Sequence, residues 1–211
     1  MNNDKYFASL EERLIKLIKM REAATSLAKG MISSTLYLED LFFASGLNRS
    51  LSLLDGFIDM IKTRNLACAG ILLRSQIDNC MRIYASFIAA DKPSFIEGFM
   101  GGKKISDFRD DSGEKMSDAI LQKRLEAYDS NISDVYQRSS GYVHLSKVAF
   151  HLSTFSLDNH HIEFDIGLPL KEDGNKYLLE GADAFIHYMI LLYRLLNAVV
   201  ESKERSEKSI D

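Results

Sequence analysis

The sequence predicts an all-α fold, mainly helical, on three observations. Hydrophobic residues recur at three- and four-residue steps along most of the 211-residue chain. The two prolines, Pro93 and Pro169, both lie between these apolar-periodic segments, so proline bars little of the chain from helix. Hydrophobic residues make up 46% and charged residues 27%, the balance of a soluble globular protein. One hydrophobic core is therefore expected.

The first half of the chain contains three helical patterns and one short apolar segment. The helical patterns cover residues 5–28, 51–62 and 65–90, and the apolar segment covers residues 36–43. Gly30 is expected to stop the first helix, and Ser50 is expected to cap the second. Residues 65–90 carry the widest apolar stripe, which predicts a central helix contacted on several sides.

The second half begins with a polar, glycine-containing segment, residues 101–117, which predicts a mobile loop. Ser117 then caps a helix over residues 118–128, and a further helix follows over residues 132–143. The last helix is predicted over residues 177–202 and is apolar on almost every side. Such a helix is typical of a core or of a subunit interface.

A small β-hairpin is predicted before the last helix. Between Phe150 and Leu168 the apolar period changes from 3.6 to 2, and Asp158 and Asn159 stand at the expected turn. A lone hairpin is only marginally stable in water. We therefore expect it to pack on the helical body or to pair with a partner.

Composition also excludes several classes of protein. Residues 129–211 carry 8 basic and 13 acidic groups, and basic and acidic groups nearly balance in the rest of the chain. No region is basic, which disfavours tight nonspecific binding to duplex nucleic acid. Cys68 and Cys80 form neither a disulfide framework nor a zinc ligand set, which favours a reducing compartment. The N-terminus resembles no signal or transit peptide, and the longest apolar stretch, residues 188–200, is too short to span a bilayer. A soluble cytoplasmic protein without membrane contact is expected.

The densest cluster of chemically useful side chains lies in residues 136–146. Arg138 offers a planar fork of donors suited to phosphate, and histidine, at position 144, is the one side-chain type whose unperturbed pKa lies near neutral pH. Metal-independent RNA cleavage needs such a pair: a base for the ribose 2′-hydroxyl proton and a cation for the charge that gathers on phosphate. On one continuous helix, however, a six-residue spacing leaves the two side chains about 120° apart. Relaxation at Gly141, or a two-fold dimer, would bring them together.

A structural alternative accounts for the same two residues without catalysis. Arg138 can pair with Asp134 one helical turn earlier, and His144 can close the C-terminal end of the helix, where the dipole favours a cation.

The string Arg138-Ser-Ser-Gly-Tyr-Val-His144 resembles the signature of the HEPN superfamily, the higher eukaryote and prokaryote nucleotide-binding helical domains. In that signature four to six residues separate the arginine from the histidine. The upstream helix with Leu72-Leu-Arg-Ser-Gln-Ile-Asp78, followed by a Gly-Lys loop and a short helix, is similar to the AbiV-like or another HEPN-like bacterial branch. The resemblance covers about residues 50–200.

The resemblance implies a HEPN-like up-and-down helical bundle with one β-hairpin insertion. It implies a single domain over residues 1–211, with a helical extension at 1–45, a HEPN-like core at 46–203 and a disordered tail at 204–211. It also implies a metal-independent endoribonuclease of a toxin or phage-defence (abortive infection) system that works as a homodimer on RNA, with an antitoxin or defence-complex partner. The alternative is a non-catalytic regulatory or interaction subunit of such a complex.

By this resemblance Arg138 and His144 form the catalytic pair. Ser139 stands where the family's toxins often carry Asn, Asp or His, and Tyr142 is placed to stack a base. Further candidates for binding phosphate or supporting the site are Arg74, Asp78, Lys103 and Lys104. The structural alternative for Arg74 and Asp78 is an ion pair within one helix. The structural alternative for Lys103 and Lys104 is a position on a solvated loop without a binding role.

We expect neither a metal nor a cofactor. His160 and His161 are adjacent on a strand and point to opposite faces, so they cannot chelate one ion. Asp183 and His187 lie one helical turn apart, which predicts a buried hydrogen bond rather than a ligand set.

Overall fold

The computed structural model describes residues 3–32, 36–144, 146–147, 154–157, 162–164 and 167–207. Across these ranges the chain is mostly helical, which confirms the all-α class. The helices are α1 (Asn3–Met31), α2 (Leu38–Lys62), α3 (Leu66–Ile88), α4 (Lys92–Met100), α5 (Asp118–Leu125), α6 (Ile132–Val143) and α7 (Asn175–Glu207). Short 3-10 turns occupy Ile105–Asp107 and Glu172–Gly174.

Two short strands precede α7. Strand β1 (Thr154–Leu157) runs antiparallel to β2 (Ile162–Phe164), with Leu157 opposite Ile162 and an irregularity in register nearer Thr154. The turn predicted at Asp158 and Asn159 lies outside the described residues.

Helix α3 is the central helix, as its wide apolar stripe predicts. It packs against α2, α7, α6, α5 and α4. Its fully buried side chains include Ile77, Cys80 and Met81. Every polar group that α3 carries into these contacts therefore needs a partner from a neighbouring helix.

Helix α2 corrects the prediction of a short apolar segment followed by a helix capped at Ser50. A single helix runs from Leu38 to Lys62, and Ser50 lies buried in its middle. The Ser50 hydroxyl donates to Gln76 Oε1 on α3 at 3.0 Å. A serine that resembles a cap in the sequence is thus a buried hydrogen-bonding group between two helices, and the predicted boundary at residues 45 and 46 falls within α2.

Gly30 does not stop the first helix, because α1 continues to Met31. A Cβ at Gly30 would lie 2.9 Å from Val200 Cγ1 on α7. The glycine therefore allows close packing of α1 against α7 rather than ending a helix.

Helix α7 differs from its prediction in two respects. It has a solvent face, with Glu180, Asp183 and His187 exposed, whereas its apolar side chains are buried against α1 and α3. It also extends to Glu207, so residues 204–207 are helical rather than a disordered tail, and residues 208–211 lie outside the described part.

Part of α7 is compatible with a membrane span by length and composition. The segment Asn175–Arg205 meets both criteria, which corrects the sequence estimate based on residues 188–200 alone. Within its most apolar stretch 44% of the residues are buried inside the protein. The core helix of a soluble protein meets the same criteria, so this property is weak evidence for a membrane location.

The polar segment 101–117, predicted as a mobile loop, is anchored to the helical body. Met116 and Asp110 are fully buried, and the Asp111 amide donates to Ile88 O at 2.7 Å. Burial alone would raise the pKa of Asp110, but hydrogen bonds from Ser112 and Glu114 and the charge of Arg124 outweigh it and lower that pKa. The buried carboxylate therefore stays ionised and organises the loop.

The ends of three helices meet at a buried ion pair. Lys203 on α7 pairs with Asp40 on α2, and both side chains are almost completely buried. The Lys203 ammonium also donates to Met31 O at the end of α1, at 3.0 Å. Asp40 in turn accepts a hydrogen bond from the Tyr37 amide at 2.8 Å. This contact fixes the first turn of α2 against α1 and α7.

Gly70 on α3 provides a test of the packing between α3 and α6, because a Cβ at this position would overlap the ring of Tyr142. We predict that Gly70→Ala lowers the free energy of unfolding by about 1–3 kcal/mol, since the ring and its helix must shift. Urea denaturation measures the change.

Gly181→Ala is the matched control, because no atom lies within 4 Å of its added Cβ and the residue is helical. This variant should gain about 0.5–1 kcal/mol. In a Tyr142→Ala background, Gly70→Ala should no longer lower the free energy of unfolding, because the ring that the added Cβ would overlap is absent. Equal stability changes at positions 70 and 181 would contradict the packing described for Tyr142.

Candidate functional site

Arg138 lies on the exposed side of α6, and 64% of its side chain is accessible to solvent. Its guanidinium lies 3.7 Å from Asp134 Oδ2 on the same helix. It also donates from Nη2 to Glu180 Oε2 on α7 at 3.2 Å. The predicted alternative pair with Asp134 is thus present, together with a second carboxylate from another helix.

Helix α6 is continuous from Ile132 to Val143, so Gly141 does not break it. His144 follows as the C-terminal cap with extended backbone, at φ −112° and ψ 154°, and is exposed. Six residues of regular helix place Arg138 and His144 about 9 Å apart along the axis and about 120° apart around it. The helix alone therefore does not bring the two side chains together.

Ser139 and Tyr142 point toward the protein rather than toward solvent. Ser139 is buried, and its hydroxyl donates to Tyr136 O at 3.0 Å. Tyr142 is half-buried on the backbone of Gly70. Burial raises the pKa of the Tyr142 hydroxyl, and the charge of Arg138 opposes that rise. Tyr142 therefore lies close to Arg138 and is partly exposed.

Arg74 and Asp78 form the predicted intrahelical ion pair on α3. Arg74 does more than pair with Asp78: its guanidinium carbon stacks 3.4 Å above the centroid of the Tyr136 ring. Its Nε also donates to Ser140 Oγ at 3.2 Å. Arg74 thus attaches α6 to the central helix, and none of these contacts involves His144.

Arg82, Asp118 and Tyr136 complete a charge cluster that was not singled out in the sequence. Arg82 donates from Nη2 to Asp118 Oδ1 at 2.7 Å, and the Tyr136 hydroxyl donates to Asp118 Oδ2 at 2.9 Å. The spacing of Arg74, Asp78 and Arg82 at four-residue steps on one face of α3 was the available signal. Together with Arg74 and Asp78, these residues form the α3–α6 charge cluster.

The cluster shifts the titration of its members in opposite directions. Burial alone would raise the pKa of Asp118, but the hydrogen bond and charge of Arg82 and the Tyr136 hydroxyl outweigh it and lower that pKa. Burial and the neighbouring Asp118 carboxylate raise the pKa of Tyr136 to about 12. At neutral pH the carboxylate is charged and the phenol is protonated, so the hydrogen bond between them is maintained.

Lys103 and Lys104 are exposed on the segment after α4. The Lys104 amide donates to Asp107 Oδ2 at 3.0 Å, which closes a local turn. A nearby pocket of about 260 Å³ is lined by Ser106, Asp107, Phe108, Arg109 and Lys115. Neither of the two lysines lines that pocket.

Asp183 and His187 do not form the predicted buried hydrogen bond with each other. Both are exposed, and each contacts a different element. Asp183 accepts two hydrogen bonds from Arg13 of α1, at 2.8 Å and 2.9 Å. His187 Nε2 lies 3.2 Å from Asp129 Oδ2. Partners distant in sequence replace the local pair because α7 packs between other helices.

Among the described residues, no group of three or more His, Cys, Asp or Glu side chains is arranged to hold a metal ion. His160 and His161 lie outside the described residues. Cys68 is exposed and Cys80 is buried, and both thiols are free.

Tyr136→Phe tests the α3–α6 charge cluster. Loss of the hydrogen bond to Asp118 should reduce the free energy of unfolding at pH 7 by about 1–2 kcal/mol. In the parent protein, Tyr136 keeps its proton up to a pH of about 12, whereas an unfolded tyrosine releases it near pH ~10. The folded state therefore holds the extra proton in that window, and the parent loses stability as pH rises from about 10 to 12.

Urea denaturation across this pH range should show a shallower loss of stability in Tyr136→Phe. Tyr128→Phe is the control, because Tyr128 is 70% exposed. If Tyr136→Phe and the parent lose stability equally between pH 10 and 12, the cluster does not hold the Tyr136 proton.

Comparisons of the chain with protein-family models, with curated proteins and with solved structures found no match. A relationship to the HEPN superfamily is accordingly a proposal, supported by the residues from Arg138 to His144.

Proposed function

We propose that the protein is a HEPN-like, metal-independent endoribonuclease of a toxin or phage-defence system. The observation that carries this proposal is the exposure of both Arg138 and His144 at the C-terminal part of α6. A phosphate-binding cation and a proton-transfer group must both reach solvent, and these two side chains meet that requirement. The proposal includes a HEPN-like up-and-down bundle with a hairpin insertion before α7.

In the proposed reaction Arg138 stabilises the charge that develops on the phosphate, and His144 transfers a proton. Tyr142, one helical turn from Arg138 and partly exposed, is the proposed stacking partner of a base. The expected products carry a 2′,3′-cyclic phosphate and a free 5′-hydroxyl group.

A homodimer is part of this proposal. Because α6 is regular between Arg138 and Val143, helix geometry does not bring Arg138 and His144 of one protomer together. A two-fold axis near the end of α6 would set Arg138 of one protomer beside His144 of its partner.

We also propose a cytoplasmic location and an antitoxin or defence-complex protein as partner. The apolar side of α7 is largely occupied by α1 and α3, which supports a soluble protein.

A second candidate function is a non-catalytic interaction subunit. An exposed apolar cluster at the start of α2 favours it, where Leu36, Tyr37, Leu38 and Leu41 are each between 44% and 55% accessible. Apolar surface of this kind is typical of protein-binding sites.

Incubation of bulk cellular RNA with the purified protein and EDTA separates the two functions. We predict cleavage by the parent and a loss of about 10²–10⁴-fold in rate for Arg138→Ala and for His144→Ala. The control is Arg205→Ala, an exposed arginine near the far end of α7. RNA that survives the parent protein would favour the interaction subunit.

Glu180→Gln tests whether Arg138 is the phosphate-binding group. Glu180 competes with phosphate for the guanidinium, at 3.2 Å in this structure. Removing its charge should tighten the binding of single-stranded RNA by about two- to five-fold, because an exposed ion pair contributes up to about 1 kcal/mol. Fluorescence anisotropy with labelled RNA measures the change, and Glu204→Gln, on the last turns of α7, controls for net charge. Equal tightening by both variants would contradict a specific role for Arg138.

A further inference from the structure

A buried carboxylate supports an exposed histidine on the side of α7 that carries Glu180. Asp129 precedes α6, and its side chain is only 3% exposed. His187 on α7 has half of its side chain in solvent, and its Nε2 atom lies 3.2 Å from Asp129 Oδ2. The backbone N–H of Asn131 donates to the other carboxylate oxygen, Asp129 Oδ1, at 3.1 Å. Asp129 is therefore fixed in position, while one side of the imidazole remains accessible.

Among the described residues, His187 is the basic side chain that lies within ion-pair distance of Asp129. Tyr188 and Cys80 lie nearby in the core. Burial raises the pKa of the Tyr188 hydroxyl and of the Cys80 thiol, and the Asp129 carboxylate raises both further. Both groups are therefore neutral at pH 7. A buried carboxylate at this distance holds an imidazole in one orientation.

The same face of α7 connects His187 to Arg138. Glu180 and His187 are seven residues apart, which places them within about 20° of each other around the helix and about 10 Å apart along it. Arg138 reaches Glu180 across the α6–α7 boundary. Arg138 and His187 therefore share the outer side of the α6–α7 boundary, where a phosphate held by the guanidinium would also lie. Asp134, within ion-pair distance of Arg138, lies on the α6 side of this arrangement.

We propose that His187, positioned by Asp129, is a second proton-transfer residue for cleavage of single-stranded RNA. This inference rests on the endoribonuclease function proposed above. His187 accepts the proton of the ribose 2′-hydroxyl, the 2′ oxygen bonds to phosphorus, and the bond from phosphorus to the 5′ oxygen breaks. Protonated His144 of the partner protomer, placed beside Arg138 by the proposed two-fold axis, supplies the proton to that leaving oxygen. Proton exchange with water then restores both imidazoles, so no metal or further reactant takes part.

The chemistry explains why a second histidine is needed. One imidazole cannot remove a proton from the attacking oxygen and deliver one to the leaving oxygen in the same step, because the two oxygens lie on opposite sides of phosphorus. Asp129 does not touch the substrate and is a positioning residue.

His187→Gly is the deciding variant, since removal of a half-exposed ring leaves the core intact. We expect a loss of about 10²–10⁴-fold in kcat on a short single-stranded RNA, with little change in RNA binding. Added imidazole should restore part of the rate, because it fills the space of the missing side chain. Imidazole should not restore Arg138→Ala, which lacks a cation rather than a proton-transfer group.

Asp129→Asn gives an independent test of positioning. It should lower kcat and leave KM and the binding of RNA nearly unchanged. If Asp129→Asn fails to fold, His187→Gly alone decides the inference.

The outcomes distinguish this inference from the proposed function. In one outcome the parent cleaves RNA, Arg138→Ala and His144→Ala do not, and His187→Gly cleaves as the parent does. This outcome overturns the role of His187 and leaves the endoribonuclease function standing. Absence of cleavage by the parent overturns both. Loss of cleavage in His187→Gly that imidazole does not rescue assigns His187 a structural role and also overturns the inference.

Discussion

The burial of α3 is the constraint on which the rest of the structure depends. Five helices cover it, so its apolar stripe supplies much of the core, and any charge it carries must find a partner inside the protein. Arg74, Asp78 and Arg82 occupy successive turns of one face of this helix. Their charges are met within that helix and by Asp118 and Tyr136 from α5 and α6. The cost of burying an unpaired charge thus determines where α5 and α6 can sit.

The position of α6 then determines which side chains reach solvent. Arg74 stacks on Tyr136, and the small Gly70 admits Tyr142, so two tyrosines on one side of α6 are fixed against α3. Ser139 falls on the buried side, and Arg138 falls on the outer side. The exposure of the candidate phosphate-binding arginine therefore follows from contacts made by its neighbours. In the same way, the packing of α7 on α3 presents Glu180 and His187 on its outer face.

Strong helical periodicity was enough to predict some elements and insufficient for others. The bounds of α6 and the central position of α3 were predicted, because their apolar patterns are long and are bounded by clear polar residues. The continuity of α2 was missed because Ser50 resembles a cap, and its hydrogen bond to Gln76 depends on a helix 26 residues away. Gly30 was misassigned for the same reason, since only the approach of Val200 explains it.

At the candidate site, the sequence identified Arg138 and His144 and the local pairs of Arg138 and Arg74. Glu180 and the contact between Asp129 and His187 join residues 42 and 58 positions apart, so no local pattern could reveal them.

If the proposed function holds, the charge around Arg138 decides how the site meets RNA. Asp134 and Glu180 both lie within ion-pair distance of the guanidinium, so the surface near it is not basic, in agreement with the acidic balance of residues 129–211. Exposed pairs of this kind are each worth about 1 kcal/mol or less, because water screens them and two long side chains lose freedom. A phosphate that engages the planar fork of the guanidinium through two hydrogen bonds can displace one carboxylate at that small cost. The two carboxylates would therefore weaken the capture of RNA by a few fold without blocking it, and they would penalise long polyanionic duplexes, which bring many phosphates past the same acidic surface. An arginine that is paired but exposed is consistent with a site selective for short, single-stranded segments.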